Sequence, residues 1–352
     1  MSFFRPEVAA LKAYAMADEP CSVKVNQNEA PWDWPPELKE EAIRRVTDVA
    51  FNRYPPFDER ALTAALTERW GLRPESILVG NGSNELLQAL FLSALGPGRK
   101  VLMPSPTFSL YRQLALLTGA PVAEVPLKDG VSYKAEAWVK AVRREKPALV
   151  LLCSPNNPTG AAYPAEALAD LLKEAPGLVA VDEAYAEFSS KTARGLLPEA
   201  ENLVILRTFS KAWGGAGLRL GYLLAAPRTA AQVRKALLPY NVSPVTAGLG
   251  VLALKNAPLF EARVEALVEE RRRLYDQLCR LPGLTVYPSE ANFILVRVAK
   301  GTAVERFEAL KRRGILVRDV SHLPGLDRCL RLSVGSADEN DAVLESLAEV
   351  LA

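Results

Sequence analysis

Unbroken apolar runs alternate with helically spaced ones along most of the chain. From Ser76 onward, "SILVG", "KVLMP", "ALVLLC", "GLVAVD", "NLVILR" and "YLLAA" are rich in Val, Leu and Ile and show no apolar/polar alternation. Such runs predict strands buried on both faces, as in a mostly parallel sheet covered by helices. Between them, "NELLQALFLSAL" and "PAEALADLLKEA" repeat apolar residues every three or four positions, the spacing of one helix face. Strand and helix in alternation predict an α/β domain.

After Pro239 the pattern changes. "PLFEARVEALVEERRRLYDQLCRL" reads as one long amphipathic helix, followed by "NFILVRV", a helix "AVERFEALKRR", "GILVRDV", "CLRLSVG" and a terminal helix. This predicts a smaller α+β domain with its own sheet. The first forty or so residues show no strand–helix alternation and are expected to pack with it. The expected division is a large domain over 46–254 and a small domain formed by 1–45 and 255–352.

Composition narrows the chemistry. The chain has 352 residues, of which 49% are apolar and 24% charged, the profile of an ordinary globular protein long enough for about two domains. A net charge of +2 points to neither nucleic acid nor an anionic membrane, and the basic runs "RRR" and "KRR" sit in acid-rich helical surroundings as expected solvated faces. The amino terminus has no apolar core of signal-peptide length, and no run approaches the ~18 apolar residues of a membrane span. Four scattered cysteines without a C-x-x-C pair read as reduced thiols, so a cytoplasmic location is expected. There is one histidine, His322, in the loop-like "DVSHLPG". Metal clusters built on several histidines are excluded, and acid/base work falls mainly to Lys, Tyr, Asp, Glu or a cofactor.

Ligands of open α/β sheets bind beyond the carboxyl ends of the strands. Five of the predicted strands end there in polar sequence: "NGSNE", "SPTF", "SPNNPTG", Asp182 of "DEAY", and "TFSK". "GNGSNELL" suits an anion at a helix start, although Ser83 or Asn84 would equally serve as a plain helix cap. It is not a complete dinucleotide fingerprint or P-loop, and "GGAGLRLG" leads into a strand, not a helix. Asp182, at the end of an apolar strand, is costly unless donors or a cation stabilise it; a cap or structural ion pair is the alternative to a ligand contact. With Lys211 and Arg219 on one glycine-rich segment, a different constellation forms. A lysine nucleophile, a carboxylate for a ring nitrogen and an arginine beside free N–H groups meet the requirements of pyridoxal phosphate.

These motifs, with "VNQNEAP", "NRYPPFDERAL", "PSPTFSLY", "VDEAYAEF", "ILVRD" and "CLRLSVG", resemble the fold-type I, class-II pyridoxal-phosphate-dependent aminotransferases, and within them the histidinol-phosphate aminotransferases. The resemblance implies a large domain with a mostly parallel seven-stranded sheet and a smaller α+β domain. It makes Lys211 the covalent anchor of the cofactor and the proton carrier, and Asp182 the partner of the ring nitrogen. Tyr185 and Asn157 would bond the ring 3-oxygen, and Phe108 would stack on the ring. Ser83, Asn84, Thr208, Ser210 and Arg219 would hold the cofactor phosphate, joined by Tyr54 from the second subunit of a homodimer. Arg331 would clamp a substrate carboxylate, with Arg318 and Tyr14 as candidates for a second anion contact; for Arg318 an ion pair with Asp319 is the alternative. The implied substrates are histidinol phosphate and 2-oxoglutarate, exchanged for imidazole acetol phosphate and glutamate in histidine biosynthesis. An aromatic-amino-acid aminotransferase or a threonine-phosphate decarboxylase would share the cofactor residues. A non-catalytic pyridoxal-phosphate-binding regulator would carry a basic helix-turn-helix segment, which this sequence does not contain.

Overall fold

The six apolar runs form six of the strands of a seven-stranded sheet. The computed structural model describes residues 3–11, 20–56 and 59–352. In chain order the first strands are β1 (Val23–Lys24), β2 (Ile77–Asn81), β3 (Val101–Ser105), β4 (Val122–Pro126), β5 (Leu149–Cys153), β6 (Leu178–Asp182), β7 (Leu203–Thr208) and β8 (Leu220–Ala225). The large sheet has the order β2-β8-β7-β6-β5-β3-β4. Strands β4, β3, β5, β6 and β7 are parallel, while β8 runs against both β7 and β2.

Burial on both faces explains the unbroken runs. In β5, Val150 and Leu152 enter one core and Leu149, Leu151 and Cys153 the other. In β7, Leu203 and Ile205 face the first core and Val204 and Leu206 the second. Strand β4 has no counterpart among the six sequence runs. It is the sheet edge, half-exposed, so its pattern is broken by Glu124 and closed by Pro126.

Because β8 is reversed, its amino end lies beside the carboxyl ends of its neighbours. Leu220 pairs with Asn81, Gly221 with Thr208, and Asp182 with Cys153. Arg219, just before β8, therefore joins residues that follow β2, β5, β6 and β7 at one edge.

The carboxyl-terminal part adds β9 (Leu284–Tyr287), β10 (Phe293–Val298), β11 (Ile315–Leu316), β12 (Arg318–Asp319) and β13 (Cys329–Ser333). Four of these make an antiparallel sheet in the order β12-β13-β10-β9. The expected single strand "GILVRDV" is two strands in two sheets, since β11 pairs in parallel with β1. Beyond β1, Val25 N–H bonds Leu316 O at 2.9 Å and Ser333 N–H bonds Val25 O at 2.9 Å. The amino-terminal segment is thus laced between β11 and β13. The helices Ala303–Arg312 and Ala337–Leu351 start at capping boxes, Thr302/Glu305 and Ser336/Glu339.

The basic run 271–273 is only partly the solvated face expected of it. Arg272 and Arg273 pair with Glu269 and Glu270. Arg271 turns inward, donating from Nη1 to Phe188 O at 3.1 Å and Ala291 O at 2.9 Å. It ties the long helix Ala257–Arg280 to the segment after β6 and to the turn before β10.

Behind the site edge lies a buried ionic cluster. Arg207 Nη2 is 2.6 Å from Glu183 Oε2, and Nη1 is 3.1 Å from Glu187 Oε1. Trp70 stacks over the same guanidinium, 5.0 Å from its ring centroid. Arg207→Leu would leave two buried carboxylates without their cation, at a cost of about 3–5 kcal/mol. A urea titration should show a much lower midpoint at an unchanged slope. An unchanged midpoint would mean that the cluster contributes nothing to stability.

Candidate active site

The site edge is built around two close approaches, one of backbone to backbone and one of a side chain to backbone. The helix Gly82–Ala94 begins directly after β2, with Asn81 as a cap residue whose side chain makes no capping bond. Ser83 and Asn84 therefore do not fill the cap position; both line a cavity of about 250 Å³. A methyl at Gly221 would lie 2.4 Å from Ser83 N and 2.7 Å from Gly82 C, so only glycine lets the helix start rest on β8. At Gly82, where φ is +75°, a methyl would meet Arg219 Nη2 at 2.8 Å. Arg219 is itself left-handed at φ +51°, which folds its side chain back over this corner. Its Nη1 donates to Ala216 O at 3.0 Å and Ser210 Oγ at 3.4 Å. Thr208 Oγ1 accepts from Ser210 N–H at 3.1 Å and lies 3.0 Å from Ser210 Oγ. Two hydroxyls and a guanidinium thus converge on a helix start, the composition of an anion cradle.

Asp182 is 4% exposed. Its Oδ2 accepts from Tyr111 O–H at 2.7 Å and its Oδ1 from Ala184 N–H at 3.1 Å. Burial pushes its carboxyl above the ordinary range, with Glu183 adding to the push and the two donors opposing it. Phe108 lines the cavity, edge-on to Tyr111 with ring centroids 5.5 Å apart.

Lys211 closes the floor. Its Nζ donates to Gln27 O at 2.7 Å. Removal from water, followed by the charge of Arg331, brings its ammonium pKa down to about 7. The Tyr185 phenol oxygen Oη accepts from Asn28 Nδ2 at 3.0 Å and Asn157 Nδ2 at 3.4 Å. Burial pushes that phenol up to about 12. Arg331 is buried, bonds Asn157 Oδ1 through Nη1, and donates from Nη2 to Asn26 O at 2.6 Å. Arg318 pairs opposite Arg331 in the small sheet and lines the same cavity. The carboxylate of Asp319 accepts from Ser321 N–H at 2.8 Å.

Among the described residues, the structure gathers every sequence-nominated site residue but Tyr54 into one cavity. Tyr54 is 81% exposed and stacks on Tyr240 at 4.8 Å, outside the cavity of its own chain. Tyr14 lies outside the described residues. Sequence reasoning gave no role to Tyr111, Gln27 or Asn28. Asn28 sits at φ +55° and exchanges two bonds with Ser333, its N–H donating to Oγ at 2.8 Å and its Oδ1 accepting from it at 3.0 Å. All three residues fall in quoted motifs, "PSPTFSLY" and "VNQNEAP", which was the available signal. His322, expected to be an ordinary loop residue, is exposed but lines the cavity with Val320 and Leu323.

Residues 22–347 match the family model described as aminotransferase class I and II. The chain belongs to this family. Among similar aminotransferases, histidinol-phosphate aminotransferase 2 of Nitrosococcus oceani is 40% identical over 98% of this chain and 96% of its own. The histidinol-phosphate aminotransferase of Chlorobaculum tepidum is 38% identical over 98% and 99%. The crystal structure of histidinol-phosphate aminotransferase from Sinorhizobium meliloti in complex with pyridoxal-5'-phosphate superposes with a TM-score of 0.89 at 26% identity, covering 100% of this chain and 98% of that one. Among the described residues of this aminotransferase, no helix is long and apolar enough to cross a membrane.

Three outcomes follow from this geometry. Lys211 should acylate with a pH midpoint near 7, its labelling levelling off where surface lysines are still gaining reactivity; peptide mass spectrometry reads this directly. Between about 7 and the ordinary 10.5, the unfolded chain carries a proton here that the folded chain does not, so this group's contribution to stability rises with pH across that window. Gly221→Ala should lower the unfolding midpoint by the equivalent of about 1–3 kcal/mol, because the atoms it strikes are backbone.

Proposed function

We propose that this aminotransferase is a pyridoxal-phosphate-dependent histidinol-phosphate aminotransferase, working as a cytoplasmic homodimer. It would exchange amino groups between histidinol phosphate and 2-oxoglutarate. The observation that carries the reading is the shared cavity. A lysine with an ammonium pKa of about 7, a buried carboxylate, a cradle of hydroxyls with an arginine, and two more arginines all line it. The residues suit the cofactor: methyls at Gly82 and Gly221 would crowd the cradle, and the Asp182 charge has no ion-pair partner among the described residues.

When bound, pyridoxal phosphate supplies an electrophilic carbonyl and an electron-withdrawing ring. Ser83, Asn84, Thr208, Ser210 and Arg219 would hold its phosphate, and Tyr54 of a second copy would add to them. The exposure of Tyr54 is what a residue serving a neighbouring site requires. Asp182 would face the ring nitrogen, Asn157 and Tyr185 the 3-oxygen, and Phe108 the ring face. Lys211 would anchor the cofactor. Once released, its Nζ, neutral above about pH 7, would take the proton from the substrate α-carbon. That is acid/base work without histidine.

Substrate choice would rest on Arg331 and Arg318. Arg331 has one edge held by Asn157 and Asn26, which fixes its guanidinium for an anion. Arg318 beside it doubles the positive charge, suiting a phosphate monoester as well as a dicarboxylate. Tyr14 is the proposed further contact.

Single-turnover absorbance titration of the cofactor-loaded protein with histidinol phosphate, phenylalanine and threonine phosphate tests this. Histidinol phosphate should convert the cofactor far faster than phenylalanine. Arg318→Gln should cost histidinol phosphate about tenfold or more in kcat/KM while sparing phenylalanine. Equal rates for the two amines would mean a broad aromatic enzyme. Carbon dioxide from threonine phosphate would overturn amino transfer as the reaction.

A further inference from the structure

The Asp182 carboxylate is held by neutral donors. Its two described contacts are the Tyr111 hydroxyl at 2.7 Å and the Ala184 N–H at 3.1 Å. Of these the hydroxyl is the one a single side chain controls. Tyr111 is fully buried near the start of the helix Leu110–Thr118. Its ring is braced edge-on by Phe108, three residues earlier, at 5.5 Å. One short segment thus carries both the aromatic face of the cavity and the donor that holds the carboxylate.

Among the described residues, no cation pairs with Asp182 to compete with that hydroxyl. The Cys153 thiol, opposite Asp182 on β5, is pushed by burial up to about 12 and stays neutral. The Tyr133 phenol, raised by burial, donates to Cys153 O at 2.6 Å, and Tyr185 is engaged by Asn28 and Asn157. Glu183 is taken up by Arg207, Thr192 and Ala193 N–H. An O–H aimed at a carboxylate in such surroundings makes it a weaker base, and charge-assisted bonds of this kind are the strong ones.

We propose that Tyr111 is a positioning residue whose hydroxyl fixes the orientation of the Asp182 carboxylate and keeps it a weaker base than the cofactor ring nitrogen it faces. The inference rests on the pyridoxal-phosphate reading above. The shared proton then stays on the nitrogen, and the ring keeps its electron-withdrawing strength. Tyr111 acts through Asp182 and touches neither substrate nor reacting atom.

The test uses the loaded enzyme as wild type, Tyr111→Phe, Asp182→Asn and the double variant. In Tyr111→Phe the pH midpoint of the bound cofactor's near-visible absorbance should move up by roughly one unit, and single turnover should slow about tenfold with the amine's KM unchanged. In the Asp182→Asn background, Tyr111→Phe should change neither readout further, since the group it acts on is gone. A midpoint and rate equal to wild type, or the same shift in both backgrounds, would overturn the proposal. Should Tyr111→Phe fail to fold, 3-fluorotyrosine at position 111 keeps the shape and strengthens the donor. It should move the midpoint down, and an unmoved midpoint would overturn the proposal too. Wild-type protein showing no near-visible absorbance with pyridoxal phosphate would instead overturn the cofactor reading, and this inference with it.

Discussion

The contact between Gly221 and the start of the helix Gly82–Ala94 fixes where everything else in the cavity can stand. With no side chain at 221, the helix start lies against β8 at backbone distance. That sets the depth of Ser83 and Asn84, and it leaves Arg219 no route except back over Gly82. The reversal of β8 is the topological half of the same constraint. Were β8 parallel to its neighbours, the residue before it would emerge at the opposite edge of the sheet, far from Asp182 and Thr208.

The parts of this arrangement legible in the sequence were those with an energetic cost visible in one dimension. Asp182 after four apolar residues, and Lys211 with Arg219 in a glycine-rich segment between strands, are charges in places that would not tolerate them without a reason. The unbroken runs announced a sheet covered on both faces, because β5, β7 and β8 are buried along their whole length and β6 everywhere but Leu178. Tyr111 was not legible. On its helix it occupies an apolar position among Leu114 and Ala115, and periodicity cannot tell a core tyrosine from one whose hydroxyl serves a carboxylate. The split of "GILVRDV" at Val317 was hidden for a different reason. Its cause is pairing with β1 at the far end of the chain, which no local pattern records. The edge strand β4 was lost because half-exposure dilutes its apolar signal.

Charge in the cavity is distributed by depth. Arg331 and Lys211 share the floor, and the positive charge of the first is part of what makes the second a base near neutrality. Arg219 contributes to the same effect from the cradle. Burial alone would also raise Asp182 and Tyr185, and it does. The site is therefore one in which Lys211 loses its proton, and Asp182 and Tyr185 keep theirs, more readily than in water, with hydrogen-bond donors placed to moderate the second tendency.

The lacing of residues 23–28 between β11 and β13 bears on how the cavity comes into being. Asn28 bonds Ser333 across a separation of 305 residues, and Gln27 beside it supplies the carbonyl that receives Lys211. Asn28 can make that bond only once the carboxyl-terminal strand carrying Ser333 is in place. A growing chain on the ribosome can complete the large sheet, with Asp182, Thr208 and Arg219 at its edge, well before β13 has been made. Lys211 then lacks the Gln27 carbonyl that receives it, and the pocket becomes whole only when the first and last parts of the polypeptide meet.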